Sequence, residues 1–125
     1  MSDKAQAEQR KALEKQTMAL QELRKEQTTL VESRQKLESQ LQENELVDKE
    51  FKQLKDNARI YKMIGPVLVP QEKSEASANV EKRLEYIRGE VKRVEQRLEQ
   101  LAKEQQTASM NAYKLQMEMQ GVSKA

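Results

Sequence analysis

Val80, Ile87, Val94, Leu101, Ala108, Leu115 and Val122 stand seven residues apart, and Leu84, Val91, Leu98, Gln105, Ala112 and Met119 form a companion row between them. Two rows with that spacing make one stripe along an α-helix, and such a stripe stays dry only against another helix. Gln105 alone is polar in the stripe. The first half of the chain carries a second, less regular stripe: Leu13, Leu20, Leu23, Leu30, Leu37 and Leu41, interrupted by Gln16, Gln27 and Arg34. Beyond it come Asn44, Val47, Phe51, Leu54 and Ala58, where two successive steps of three across Asn44 predict a stammer in the heptad phase.

Composition supports two long helices over a compact globule. The chain has 125 residues, 35% charged and 3% aromatic, with three Gly and two Pro. Basic and acidic residues number 23 and 21 and are interleaved, which is the pattern of solvated helix faces. The basic pairs Lys82-Arg83 and Lys92-Arg93 have Glu81, Glu85, Glu90 and Glu95 beside them. A nucleic-acid partner is therefore not expected.

Cys and His are both absent. That removes disulfides, thiolate and imidazole metal sites, and Cys/His or Ser/His catalysis. A catalytic carboxylate pair needs a desolvated pocket to separate its pKa values, and nothing in this pattern builds one. We expect no enzyme, no cofactor and no metal. The start, MSDKAQAEQRKALEKQ, lacks the apolar core of a signal peptide, and no run approaches the ~20 apolar residues of a membrane span. The expectation is a cytoplasmic protein with no membrane partner.

One stretch departs from the rest: IYKMIGPVLVP, Ile60 to Pro70, within a chain of mean hydropathy -0.99. Ile60 to Ile64 and Val67 to Val69 have strand composition, Gly65 can take the positive φ of a tight turn, and Pro66 fixes the next φ. Such a hairpin is apolar on both faces, Ile60 and Ile64 flanking Lys62 on one side, Tyr61 and Met63 on the other. Burying its large apolar side chains is worth on the order of 10 kcal/mol gross, and a single helix pair cannot cover both faces. Ile60, Tyr61, Met63, Ile64, Gly65, Val67, Leu68 and Val69 are the expected oligomerisation element.

The expected organisation is mostly α: one domain over 1–125, with a coiled-coil helix over about 5–58, a hairpin over 59–73 and a second coiled-coil helix over 74–120. Ser74 is the expected N-cap and Gly121 the end of the second helix. Folding back at the hairpin gives an antiparallel pair. The heptads set facing positions that sum to roughly 137, with Phe51 near Tyr86 and Leu41 near Gln96.

The succession RQKLESQLQEN (Arg34 to Asn44), YKMIGPVLV (Tyr61 to Val69) and VEKRLEYI (Val80 to Ile87), with helical spacers between, resembles the β-type subunits of the prefoldin family. The resemblance covers about residues 10 to 105. It implies a single-hairpin subunit of a hexamer of α-type and β-type subunits, whose hairpins assemble into a β-barrel platform. It also implies an ATP-independent chaperone that holds unfolded chains, notably actin and tubulin, at coiled-coil tips and delivers them to the cytosolic chaperonin. Tyr61, Ile64, Gly65, Val67, Leu68 and Val69 match the platform hairpin.

By location the far helix ends match the client-binding tips. Five of the six Met fall there: Met1, Met18, Met110, Met117 and Met119. Met is unbranched and polarizable and repacks against many apolar partners. With Leu13, Leu20, Leu115 and Val122 beside them, these residues are either adaptable client contacts or ordinary seam residues. Met18 and Met117 lie off the seam rows, which points to exposure. The alternative to a chaperone is a structural coiled-coil tether, which leaves the apolar hairpin without a purpose.

Overall fold

A computed structural model gives the structure of the protein and describes residues 3–121. The order of elements is α1 (Asp3–Gln53), β1 (Ile60–Ile64), β2 (Val67–Gln71) and α2 (Lys73–Met119). By internal contacts the chain forms two compact units, one of residues 33–94 and one of residues 1–32 with 95–125.

The unit of residues 33–94 contains the hairpin and the helix segments that lead into and out of it. Its core is contributed by α2, where Ala76, Val80, Leu84 and Ile87 are buried. The facing stripe of α1 is half-buried at Arg34, Leu37, Leu41, Asn44, Asp48 and Phe51. That spacing alternates three and four without a break, so the expected stammer does not occur. Asp48, not Val47, continues the stripe, and the Asp48 carboxylate is partnered by Lys52 Nζ at 2.9 Å. The hydrogen bond and charge of Asp48 raise the Lys52 pKa above its ordinary value. The raised value means the pairing contributes fully below the unfolded pKa of about 10.4 and fades as pH rises through the folded one. Asn44 sits in the stripe by donating to the Gln40 carbonyl at 2.7 Å and accepting from Arg83 at 3.5 Å.

The other unit pairs the first part of α1 with the last part of α2. Leu101 is 0% exposed, Ala108 is buried, and Leu98, Gln105, Ala112, Leu115 and Met119 are buried less completely. Two residues that interrupt the apolar stripes meet across this seam: Gln105 Nε2 donates to Gln27 Oε1 at 3.1 Å. Beside them Arg97 grips both carboxylate oxygens of Glu26, the shortest contact being 2.7 Å, and reaches Glu104 at 3.4 Å. The hydrogen bonds to Glu26 hold the Arg97 pKa above its usual value.

Several boundaries differ from expectation. α1 stops at Gln53, not near 58. From there Leu54 N–H donates to Phe51 O at 3.3 Å and Ala58 N–H to Lys55 O at 2.9 Å, turns suited to the Asp56-Asn57 pair between them. At the start of α2, Glu72 and not Ser74 holds the capping position, because its carbonyl accepts the first helical bond from Ala76 N–H at 2.9 Å. Gly121 ends α2 as expected, with φ +70° and its N–H on the Glu118 carbonyl at 3.1 Å.

These boundaries also shift the helix register. Six residues, Leu54 to Arg59, link α1 to β1, whereas Glu72 alone links β2 to α2. The unequal links slide α2 along α1, and the pairs Asn44–Arg83, Glu45–Arg88, Glu26–Arg97 and Gln27–Gln105 all sum to less than 137. Phe51 accordingly shares a hollow with Ala76 and Val80, while Tyr86 is exposed.

Leu101→Ala is expected to cost about 2–5 kcal/mol, because the fully buried side chain leaves a cavity. The same change at half-buried Leu98 costs less. Urea denaturation followed by circular dichroism, comparing both variants, checks the order.

Candidate assembly and client-binding surfaces

β1 and β2 pair antiparallel in the register Ile60↔Gln71, Tyr61↔Pro70, Lys62↔Val69, Met63↔Leu68 and Ile64↔Val67. Gly65 has φ +58°, and a following Pro excludes a second positive φ, which is the type II′ pattern that suits the twist of a two-residue hairpin. Directly opposed residues share a face. One face therefore carries Ile60, Lys62, Ile64, Val67, Val69 and Gln71, and the other Tyr61, Met63, Leu68 and Pro70.

Both faces are open. Tyr61, Met63, Ile64, Val67, Leu68 and Val69 are exposed, Met63 by 71%, while Ile60 at the base is half-buried. The sheet has two strands, so each also presents an outer edge. An apolar element with two bare faces and two bare edges is what strand-to-strand assembly consumes.

The base of the hairpin is fastened by a residue that sequence reasoning missed. Lys73 Nζ donates to the Leu54 carbonyl at 2.8 Å and lies 3.9 Å from Asp56. A cation from the first turn of α2 thus satisfies a carbonyl left over at the end of α1 and complements that helix's dipole. No local pattern signals this, since the partners lie 19 residues apart.

At the ends remote in sequence from the hairpin, the proposed tip residues separate into two groups. Leu13, Leu20, Leu115 and Met119 are half-buried seam residues. Met18 is 66% exposed and Met110 is also exposed. Met117, expected to be exposed, is half-buried. Met1 and Val122 lie outside the described residues. Tyr113, 62% exposed, was not singled out from the sequence. It falls three residues after Met110, so the two exposed side chains share an outward face of α2, with half-buried Met117 four residues further on. The second apolar row at that spacing, off the seam, was the signal available.

Among the described residues no helix is long and apolar enough to cross a membrane. Nor do they hold a cluster of carboxylates arranged for a metal ion.

Two long helices joined by one exposed hairpin are the architecture of a prefoldin subunit, and the model of the prefoldin subunit family matches residues 14–119. The chain belongs to the prefoldin family. Prefoldin subunit 6 of Saccharomyces cerevisiae is 49% identical over 78 residues, which span 62% of this chain and 68% of the yeast protein. Prefoldin subunit 6 of Homo sapiens is 40% identical over 110 residues, 88% of this chain and 85% of the human one. Among solved structures, the prefoldin beta subunit from Thermococcus strain KS-1 superposes with a TM-score of 0.74 at 20% identity, over 80% of this chain and 88% of that one. The beta2 subunit from the same strain gives a TM-score of 0.62 at 25% identity, over 73% and 97%. The β-type, single-hairpin recognition from sequence therefore stands.

Lys73→Met is expected to lower stability by about 1–3 kcal/mol, because it leaves the Leu54 carbonyl without its charged donor. Lys55→Met, in the linker that carries the Leu54 carbonyl, serves as the control and changes stability little. Parallel thermal melts of the two variants test the clamp.

Proposed function

We propose that the chain acts as one prefoldin-like domain, 1–125, in a holding chaperone that works without ATP. The hairpin residues Ile60 to Val69 join it to α-type and other β-type prefoldin subunits. The helix ends grip nascent or unfolded polypeptides, of the actin and tubulin class, for delivery to the cytosolic chaperonin, so the site of action is the cytoplasm. The observation that carries this reading is the hairpin, apolar and exposed on both faces in a chain otherwise rich in charge. Membership of the prefoldin family supplies the partner class.

The client contacts proposed are Met18, Met110 and Met117, flanked by Leu13, Leu20, Leu115, Met119 and Val122, with Tyr113 added on its exposure. Large amphipathic and flexible apolar side chains on an outward face suit sequence-tolerant binding. A structural tether would need none of the exposed three, Met18, Met110 and Tyr113.

Ile64 and Val67 oppose each other on one face, so Ile64→Asp with Val67→Asp places two carboxylates together where partners would bury them. We expect the doubly substituted chain to remain helical by circular dichroism and to fail to enter a complex with the other prefoldin subunits in size-exclusion chromatography with light scattering. Elution of this variant in the full complex refutes the assembly role.

Removing residues 1–19 together with 109–125 takes away all the proposed client contacts except Leu20 and spares the hairpin. The expected result is an intact complex that suppresses aggregation of a denatured client less well. The loss is partial when this subunit alone is trimmed, because other subunits still bind. Undiminished suppression with all like ends trimmed overturns the client assignment, and disassembly shows instead that the ends are structural.

A further inference from the structure

Where the hairpin meets the helices, a hollow of about 450 Å³ has a mixed lining: Val47, Phe51, Ile60 and Val80 are apolar, and Gln71, Asn79, Lys62 and Arg83 are polar. No Asp or Glu lines it. Neither cation forms an ion pair with a carboxylate among the described residues, whereas Arg88 and Arg97 pair across the helices with Glu45 and Glu26. Arg83 is steadied by a 3.5 Å hydrogen bond to Asn44 Oδ1, and Lys62 projects from the open face of β1. A hollow that sets apolar side chains beside two cations, with no internal anion, is complementary to an apolar side chain flanked by acid.

The hollow is also continuous with the hairpin. Ile60, Tyr61, Lys62 and Gln71 belong to both. A chain that pairs with the hairpin is therefore held at the mouth of the hollow. We propose that the hollow is a socket for a neighbouring prefoldin subunit, receiving one of its apolar side chains with an adjacent Asp or Glu placed between Lys62 and Arg83. This rests on the assembly reading of the hairpin and extends the interface onto the helices. Backbone pairing at a strand edge carries little sequence information, whereas a socket with a charge requirement discriminates among subunits that share one hairpin fold.

The test uses the full chain and the other prefoldin subunits. Lys62→Glu with Arg83→Glu is expected to slow entry into the complex about ten-fold at low salt and to abolish the slowing by salt that the natural chain shows. The neutral pair Lys62→Gln with Arg83→Gln guards against misfolding and is expected to lose the salt response with a smaller change in rate. Because the chain has no Cys, Val47→Cys carries its single thiol, and a photoreactive maleimide there should cross-link to a prefoldin subunit at an apolar residue next to Asp or Glu. Unchanged rate and salt response in both charge variants, or cross-links confined to added denatured client, overturn the socket. Assembly by the Ile64→Asp, Val67→Asp variant instead overturns the hairpin reading on which it rests, so the two failures are told apart.

Discussion

The apolar stripe of α2 can be dried only by α1, and every other feature depends on that contact. α2 supplies all six of the buried apolar residues described, whereas α1 supplies none. The two helices are thus unequal partners: one contributes the dry row, the other a half-exposed stripe in which Leu alternates with Gln, Arg, Asn and Asp. A seam of that kind resists separation through its apolar members and resists sliding through its polar ones. Gln27 with Gln105, and Arg97 with Glu26, have partners in one alignment and lose them if either helix slips by a turn.

The same logic explains why the linkers matter. A hairpin with a two-residue turn is a symmetric object, but its connections to the helices are not. Six residues on one side and one on the other offset the two helices where they leave the hairpin. Lys73 then fastens the longer linker to the start of α2. Alignment is specified twice, from the turn outward and from the polar pairs inward.

Much of this was legible in the residues. Seven-residue spacing placed α2 and its buried positions, and Gly65-Pro66 with its apolar flanks gave the hairpin, its turn and its exposure. What could not be read was relational. Asp48 in place of Val47 depends on Lys52 folding back to cover a carboxylate, so hydropathy alone chose the wrong residue and produced a false stammer. The register depended on where α1 stopped, which was decided by turn-forming residues 54–59 and a lysine far along the chain. Tyr113 lies with Met110 in a second apolar row on the outer face, off the seven-residue spacing that marks the seam.

The bare hairpin has a further consequence for a subunit made without its partners. It presents two unpaired strand edges and a run of apolar side chains in water, which is the pattern that drives aberrant strand pairing. Pro70, which lacks an N–H, and Lys62, which sets a charge within an apolar face, are the residues that oppose uncontrolled stacking. An orphan copy of this chain thus displays the same kind of surface that a holding chaperone recognises in others. Pairing with a partner strand removes that surface from water, so the hairpin is safest in a chain made alongside the subunits it joins.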